Sequence, residues 1–184
     1  LSLTNAADGY MLVGGAKGKV YYLNLESSDK KKEVQCVSFE DKASKQADKE
    51  NVSHGPINSI YASNSKLNDT FVATGCVKGI IRISKFSNTT PPSLETVTTI
   101  NGVEWKQFEK KFNKWNVMKT VYKTSTKKKG KNKMSKVTID VDVANPQIRS
   151  VCLGHRGKDG KDGLKILVGT RGSEIVEFNI SSKY

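Results

Sequence analysis

Histidine and cysteine are scarce in this chain of 184 residues, which has two histidines and three cysteines. His54 and His155 have no cysteine or second histidine at the spacing of a zinc site, so we expect no bound metal and no cofactor. The cysteines occur singly within apolar stretches, as is typical of reduced core thiols in a cytosolic protein rather than of a disulfide framework. They are Cys36, Cys76 and Cys152.

Long hydrophobic runs and catalytic motifs are also missing. No apolar run approaches the roughly 18 residues of a membrane span, and the first eight residues lack the pattern of a secretory signal. The segment Gly14–Lys19 is one residue too short for a phosphate-binding loop, and Val20 stands where a magnesium-binding Ser or Thr is required. Residues 158–163 contain two Asp-Gly steps but lack the carboxylates of a calcium loop. We therefore expect a cytoplasmic protein that is not an enzyme.

Positive charge is abundant but unevenly distributed. The net charge is +13. Residues 104–136 contain twelve lysines and two glutamates, a net of +10, whereas residues 26–54 contain six lysines and seven acidic residues, a net of −1. The rest of the chain therefore carries only +4. This distribution argues against a domain with a basic face built on its fold for wrapping nucleic acid, and favours a basic insertion that meets an acidic partner.

Three segments align on one another without gaps. Each consists of an apolar strand, a turn containing glycine and a second apolar strand, which is the pattern of a β-hairpin. Gly14, Gly75 and Gly169 fall in register, and so do Val20, Ile81 and Ile175. The segments are Met11–Asn24, Val72–Lys85 and Ile166–Asn179.

Further strands are predicted on either side of these hairpins. Ile57–Tyr61 and Ile148–Cys152 precede the second and third hairpins, and Leu1–Leu3 is the corresponding strand of the first. Glu33–Phe39 and Thr96–Ile100 are predicted outer strands because they alternate or are β-branched. Three to four short strands in a repeated unit are the signature of a β-propeller blade.

The sequence is therefore predicted to be all-β, a partial β-propeller of about three four-stranded blades with a basic, partly helical insertion. The blades span about residues 1–40, 54–100 and 137–184, and insertions at 27–54 and 104–136 explain repeat spacings longer than the usual 40–45 residues. Three unrelated hairpins in an ordinary sandwich are the alternative.

Residues 72–83 resemble the third-strand region of a WD repeat, and His54 resembles the histidine that opens such a repeat. Ile148-Arg-Ser-Val151 and Leu167-Val-Gly-Thr170 are most similar to the propeller of the echinoderm microtubule-associated protein-like family. The resemblance implies a cytoskeletal or ciliary scaffold that binds protein partners, tubulin or microtubules among them. The closing Trp-Asp of a typical blade is replaced by Leu23-Asn24, Ser84-Lys85 and Phe178-Asn179.

Three blades are too few to close a propeller, which has at least about four. We therefore expect the open edges to be covered by further blades of a longer chain or by a second chain. Without that cover, the segment is expected to aggregate or to require a partner.

The insertion at 104–136 begins with aromatic residues spaced three, four and three apart, which predicts an amphipathic helix. Its aromatic face either packs on the propeller, which we favour, or binds a membrane surface or partner groove. The aromatic residues are Trp105, Phe108, Phe112 and Trp115.

A lysine-rich run follows, with five lysines in seven residues. It is either a solubilising loop or a contact for a polyanion such as tubulin's acidic surface, nucleic acid or anionic lipid. Lysine without interleaved aromatic residues argues against base reading or base stacking. The alternative function is that of a nucleic-acid-associated WD-repeat protein, in ribosome assembly or RNA binding. The candidate partner-binding residues are Lys127, Lys128, Lys129, Lys131 and Lys133.

Overall fold

The computed structural model describes thirteen ranges of the chain with short gaps between them. They are residues 2–6, 9–26, 28, 34–40, 55–63, 70–89, 91–100, 109–112, 115–125, 133–137, 147–155, 163–172 and 174–182. These residues form fifteen strands and one short 3-10 turn at Ala16–Gly18. The prediction of an all-β chain is confirmed. No helix within the described ranges has the length and apolarity needed to cross a membrane.

Sheet A contains the first hairpin. Its four strands pair in chain order and are all antiparallel: β1 (Ser2–Asn5), β2 (Tyr10–Gly14), β3 (Val20–Asn24) and β4 (Gln35–Cys36).

Sheet B contains the second hairpin. Its antiparallel strands are β6 (Ile57–Ser63), β7 (Thr70–Cys76), β8 (Ile81–Ser87) and β9 (Ser93–Ile100). The short strand β5 (Ser38–Glu40) adds to β9 in parallel. The outer strand predicted at 33–39 is therefore divided between sheets A and B.

Sheet C contains the third hairpin. Its path of strands is β13 (Ile148–His155), β14 (Leu164–Thr170), β15 (Glu174–Ser182), β11 (Trp115–Ser125) and β10 (Glu109–Phe112). The strand β12 (Lys133–Val137) also pairs with β11. The basic insertion thus supplies the strand next to β15.

The helix predicted at the start of the insertion is wrong for its described residues. Phe112 and Trp115 are opposite each other in the β10–β11 pairing, so a spacing of three residues is met by a cross-strand pair instead of a helical turn. Residues from Trp115 to Ser125 are also rich in β-branched side chains and pair with β15 over nine positions. Trp105 and Phe108 lie outside the described residues.

The three aligned hairpins lie in three separate sheets, and their local geometry repeats. Gly18 and Gly79, which are equivalent in the alignment, both have positive φ, of 71° and 78°. Sheets B and C each have a register irregularity at the same place, between Ile57 and Ser59 and between Ile148 and Ser150. A shared bulge at an equivalent site is a designed feature of a repeated unit.

Two apolar cores lie between the sheets. One combines Leu12, Val20 and Tyr22 of sheet A with residues of sheet B that include Ile57 and Ile60. The other combines the opposite face of sheet B with sheet C. All seven residues of β7 are buried, because the middle sheet is covered on both faces.

Candidate interaction surfaces

Each contact between sheets is centred on a glycine of one sheet and an isoleucine of the next. A Cβ atom at Gly14 would lie 2.5 Å from Cγ2 of Ile57, and one at Gly75 would lie 2.4 Å from Cγ2 of Ile148. The two isoleucines are equivalent, each being the first residue of its strand and two residues before a serine. Because Gly14 and Gly75 have no Cβ, each leaves a space, termed a glycine seat, that is filled by a β-branched side chain of the following sheet.

Hydrogen bonds along β1, β6 and β13 join the same sheets. The backbone N–H of Ala62 donates to Oγ1 of Thr4 at 3.1 Å, and that of Val151 donates to Oγ of Ser59 at 3.0 Å. The side-chain amide of Asn58 donates to the carbonyl of Ile148 at 3.1 Å. These three strands are thus neighbours that belong to three different sheets.

A tyrosine and a cysteine meet at the junction of β6 and β13. A thiolate at Cys152 raises the pKa of the Tyr61 phenol above its ordinary value of 10.0, because a second negative charge nearby is unfavourable. Burial and the side-chain hydrogen bond between the two groups raise the pKa further. Tyr61 is only partly buried and Cys152 is exposed, so the prediction of a core thiol is wrong for Cys152 and also for Cys36, which is exposed as well.

Ser63 and His155 form a second junction between sheets B and C. Oγ of Ser63 lies 3.3 Å from Nε2 of His155 and donates to the carbonyl of Phe71 at 3.4 Å. Which group donates in the Ser63–His155 contact depends on the tautomer of the His155 ring. The His155 ring also packs edge-on against Phe71.

Among the residues that the structure describes, no group of three or more His, Cys, Asp or Glu side chains is placed to hold a metal ion. His54, the histidine of the WD-like pattern, lies outside them.

Of the five candidate partner-binding lysines, Lys127, Lys128, Lys129 and Lys131 lie outside the described residues. The fifth, Lys133, is the first residue of β12. The register places it opposite Ser125 at the end of β11. The lysine-rich run is therefore flanked by two paired strands of sheet C, an attachment that sequence reasoning missed.

The inner-strand junctions were also missed by sequence reasoning, although a signal for them exists. Ile57-Asn58-Ser59 and Ile148-Arg149-Ser150 share an isoleucine and a serine at the same spacing. The isoleucine fills the glycine seat, and Ser59 accepts the bond from Val151. The roles of the isoleucine and the serine can be identified only from the packing of the sheets.

Comparison with known proteins adds no family to this description. No protein-family model matches the chain, and no curated protein matches it significantly.

Proposed function

We propose that the chain is a segment of a WD-like β-propeller and that it serves as a non-catalytic scaffold for protein partners. The observation that carries this proposal is the repeated contact between sheets. Gly14 receives Ile57 from sheet B, and Gly75 receives Ile148 from sheet C. A series of short-stranded sheets that pack face to face through equivalent residues is the arrangement of successive blades.

The proposed partner is a microtubule or another acidic cytoskeletal surface in the cytoplasm. The resemblance of Ile148–Val151 and Leu167–Thr170 to the microtubule-associated family supports this choice. The net charge of +10 in residues 104–136 supports it independently. Each lysine near an anionic surface contributes about 1 kcal/mol, so five of them give useful affinity that falls with salt.

Co-sedimentation with microtubules tests this function. We expect binding at low salt that weakens steeply as salt is added, since exposed charges are screened over a Debye length of about 8 Å at physiological ionic strength. The variant with all five lysines of the run changed to Gln should bind less tightly. These lysines are Lys127, Lys128, Lys129, Lys131 and Lys133.

A matched control removes the same amount of charge elsewhere. Changing Lys30, Lys31, Lys32, Lys42 and Lys45 to Gln, within the nearly neutral insertion, should leave binding close to that of the parent. Equal binding by the parent and the 127–133 variant at low salt would contradict the proposed site. Tight, salt-sensitive binding to RNA with none to microtubules would favour the alternative of a nucleic-acid-associated protein.

A further inference from the structure

Sheet C has an uncovered face that is equivalent to the covered faces of sheets A and B. In the alignment, Leu12 and Ala73 correspond to Leu167. The first two are completely buried by the following sheet, whereas Leu167 is 39% exposed. Val20 and Ile81 are likewise fully buried, and the corresponding Ile175 is only half-buried. Sheets A and B each bind the following sheet with this face, which is the receiving half of the interface. On sheet C the same receiving half is uncovered.

Ser150 supplies the polar part of this receiving half. It is equivalent to Ser59, because the two serines pair with the equivalent glycines Gly169 and Gly75. Ser59 accepts a backbone N–H of the following sheet, whereas Ser150 is exposed. Among the described residues, a Cβ at Gly169 would meet only the side chain of Ser150 in its own sheet, 2.6 Å from Oγ, so no described residue of another sheet fills this glycine position.

Sheet A presents the face with which sheets B and C pack on the preceding sheet, although no described residue of sheet A corresponds to Ile57 or Ile148. Leu3 corresponds to Ile60 and Val151, which are buried against the preceding sheet, yet Leu3 is 61% exposed. The register places Leu3 opposite Val13, and Val13 opposite Tyr21. Met11 and Leu23 form the next pair on that face. This apolar surface has the position that sheets B and C use to cover their neighbours.

We propose that the free face of sheet C binds the free face of sheet A in a second copy of this chain. The contact extends the packing between sheets B and C, where the N–H of Val151 donates to Ser59, and the N–H of the equivalent Leu3 is placed to donate to Oγ of Ser150. It is a head-to-tail contact, which closes when successive rotations complete a ring. Two copies contribute six sheets, within the range of about four to eight blades in propellers. This number, but not the contact itself, rests on the proposed function.

The test uses one lysine substitution on each face. Leu3→Lys places a charge on the free face of sheet A, and Leu167→Lys places one on the free face of sheet C. The lysine at position 167 would lie opposite Glu177, so this substitution is compatible with folding. Ala16→Lys, in the exposed turn between β2 and β3, is the control. Sedimentation equilibrium should give twice the 20.3 kDa of the chain for the parent and the control. Each single variant should associate at least about tenfold more weakly, because an unpaired charge is costly against apolar side chains.

Mixing the two variants gives the decisive result. The Leu3→Lys chain retains an intact face on sheet C, and the Leu167→Lys chain retains an intact face on sheet A, so the mixture should associate more tightly than either variant alone. A monomeric parent, or a mixture that associates no better than its components, would overturn the proposal. Open chains of many copies that obey the same mixing rule would support the contact and count against the propeller of the proposed function.

Discussion

The most informative single residue is Gly75, because its missing side chain makes room for the next sheet. A Cβ there would lie 2.4 Å from Cγ2 of Ile148 and 2.9 Å from Cγ1 of Val151. Ordinary side chains do not approach so closely, and overfilling a packed core costs about 1–3 kcal/mol. Gly75→Ala should therefore lower the free energy of unfolding by about that amount in urea denaturation.

Gly154→Ala is the matched control for this prediction. It also lies in a strand of the repeat, but a Cβ at Gly154 has no atom within 4 Å, so its effect should stay within about 1 kcal/mol. In an Ile148→Ala background, the cost of Gly75→Ala should shrink, because the two positions are in contact. An equal cost in both backgrounds would show that Gly75 does not receive Ile148.

Tyr61 gives a second prediction at the residue scale. Its phenol should titrate above 10.0 in the folded chain, and Cys152→Ala should move the titration back toward that value, since the thiolate is the largest cause of the shift. Because the chain has six tyrosines, the difference in phenolate absorbance between the chain with Tyr61 and its Tyr61→Phe variant, as a function of pH, measures both. A titration of Tyr61 that is unchanged in the Cys152→Ala variant would contradict the contact.

The raised pKa also fixes the direction of a stability effect. The folded chain holds this proton more tightly than the unfolded chain does, so the contribution of Tyr61 is fully present below pH 10.0. It is lost as the pH rises through the folded-state pKa. Replacing Tyr61 with Phe should remove this part of the alkaline loss of stability.

Among the elements, the aligned hairpins could be predicted from the sequence, and the strand β11 could not. The hairpins carry local signals: alternating apolar residues, and glycines whose positive φ is required at Gly18 and Gly79. In the 104–136 insertion, two aromatic residues three positions apart fit both a helix and the cross-strand pair of Phe112 and Trp115 between β10 and β11. The choice between them depends on pairing with β15, which lies about sixty residues further along the chain and leaves no local signature.

The same reasoning explains why the outer strand at 33–39 was predicted as one strand. Its alternation is real, but the split after Cys36 depends on β5 pairing in parallel with β9. For the glycine seats, the alignment of the glycines is visible in the sequence. The isoleucines that fill the seats can be identified only from the packing of the sheets.

Hydrogen exchange tests the assignment of β11. Its backbone amides pair with β15 from Trp115 to Lys123, so we expect peptides from 115–123 to exchange slowly, like those from 174–182. Exchange of 115–123 at the rate of an unfolded peptide would contradict the β11–β15 pairing.

For the molecule as a whole, the central feature is one interface used repeatedly. The same glycine and isoleucine positions join sheet A to sheet B and sheet B to sheet C, and hydrogen bonds between β1, β6 and β13 accompany them. Stability in such a series comes from each sheet and its immediate neighbours. Sheet A and sheet C each have an exposed apolar face, at Leu3 and Leu167, and these are the faces that we propose bind each other in two copies of the chain.

Nuclear Overhauser measurements on isoleucine-methyl-labelled protein test this repeated interface most directly. We predict cross-peaks from the γ2 methyl of Ile57 to the α-protons of Gly14, and from the γ2 methyl of Ile148 to those of Gly75, because the methyl carbons lie 2.5 and 2.4 Å from the positions of the missing Cβ atoms. Both cross-peaks should persist in the Leu3→Lys and Leu167→Lys variants, since each contact lies within one chain. If Gly14 and Gly75 showed cross-peaks only to strands of their own sheets, the sheets would not pack in series and the account would be wrong.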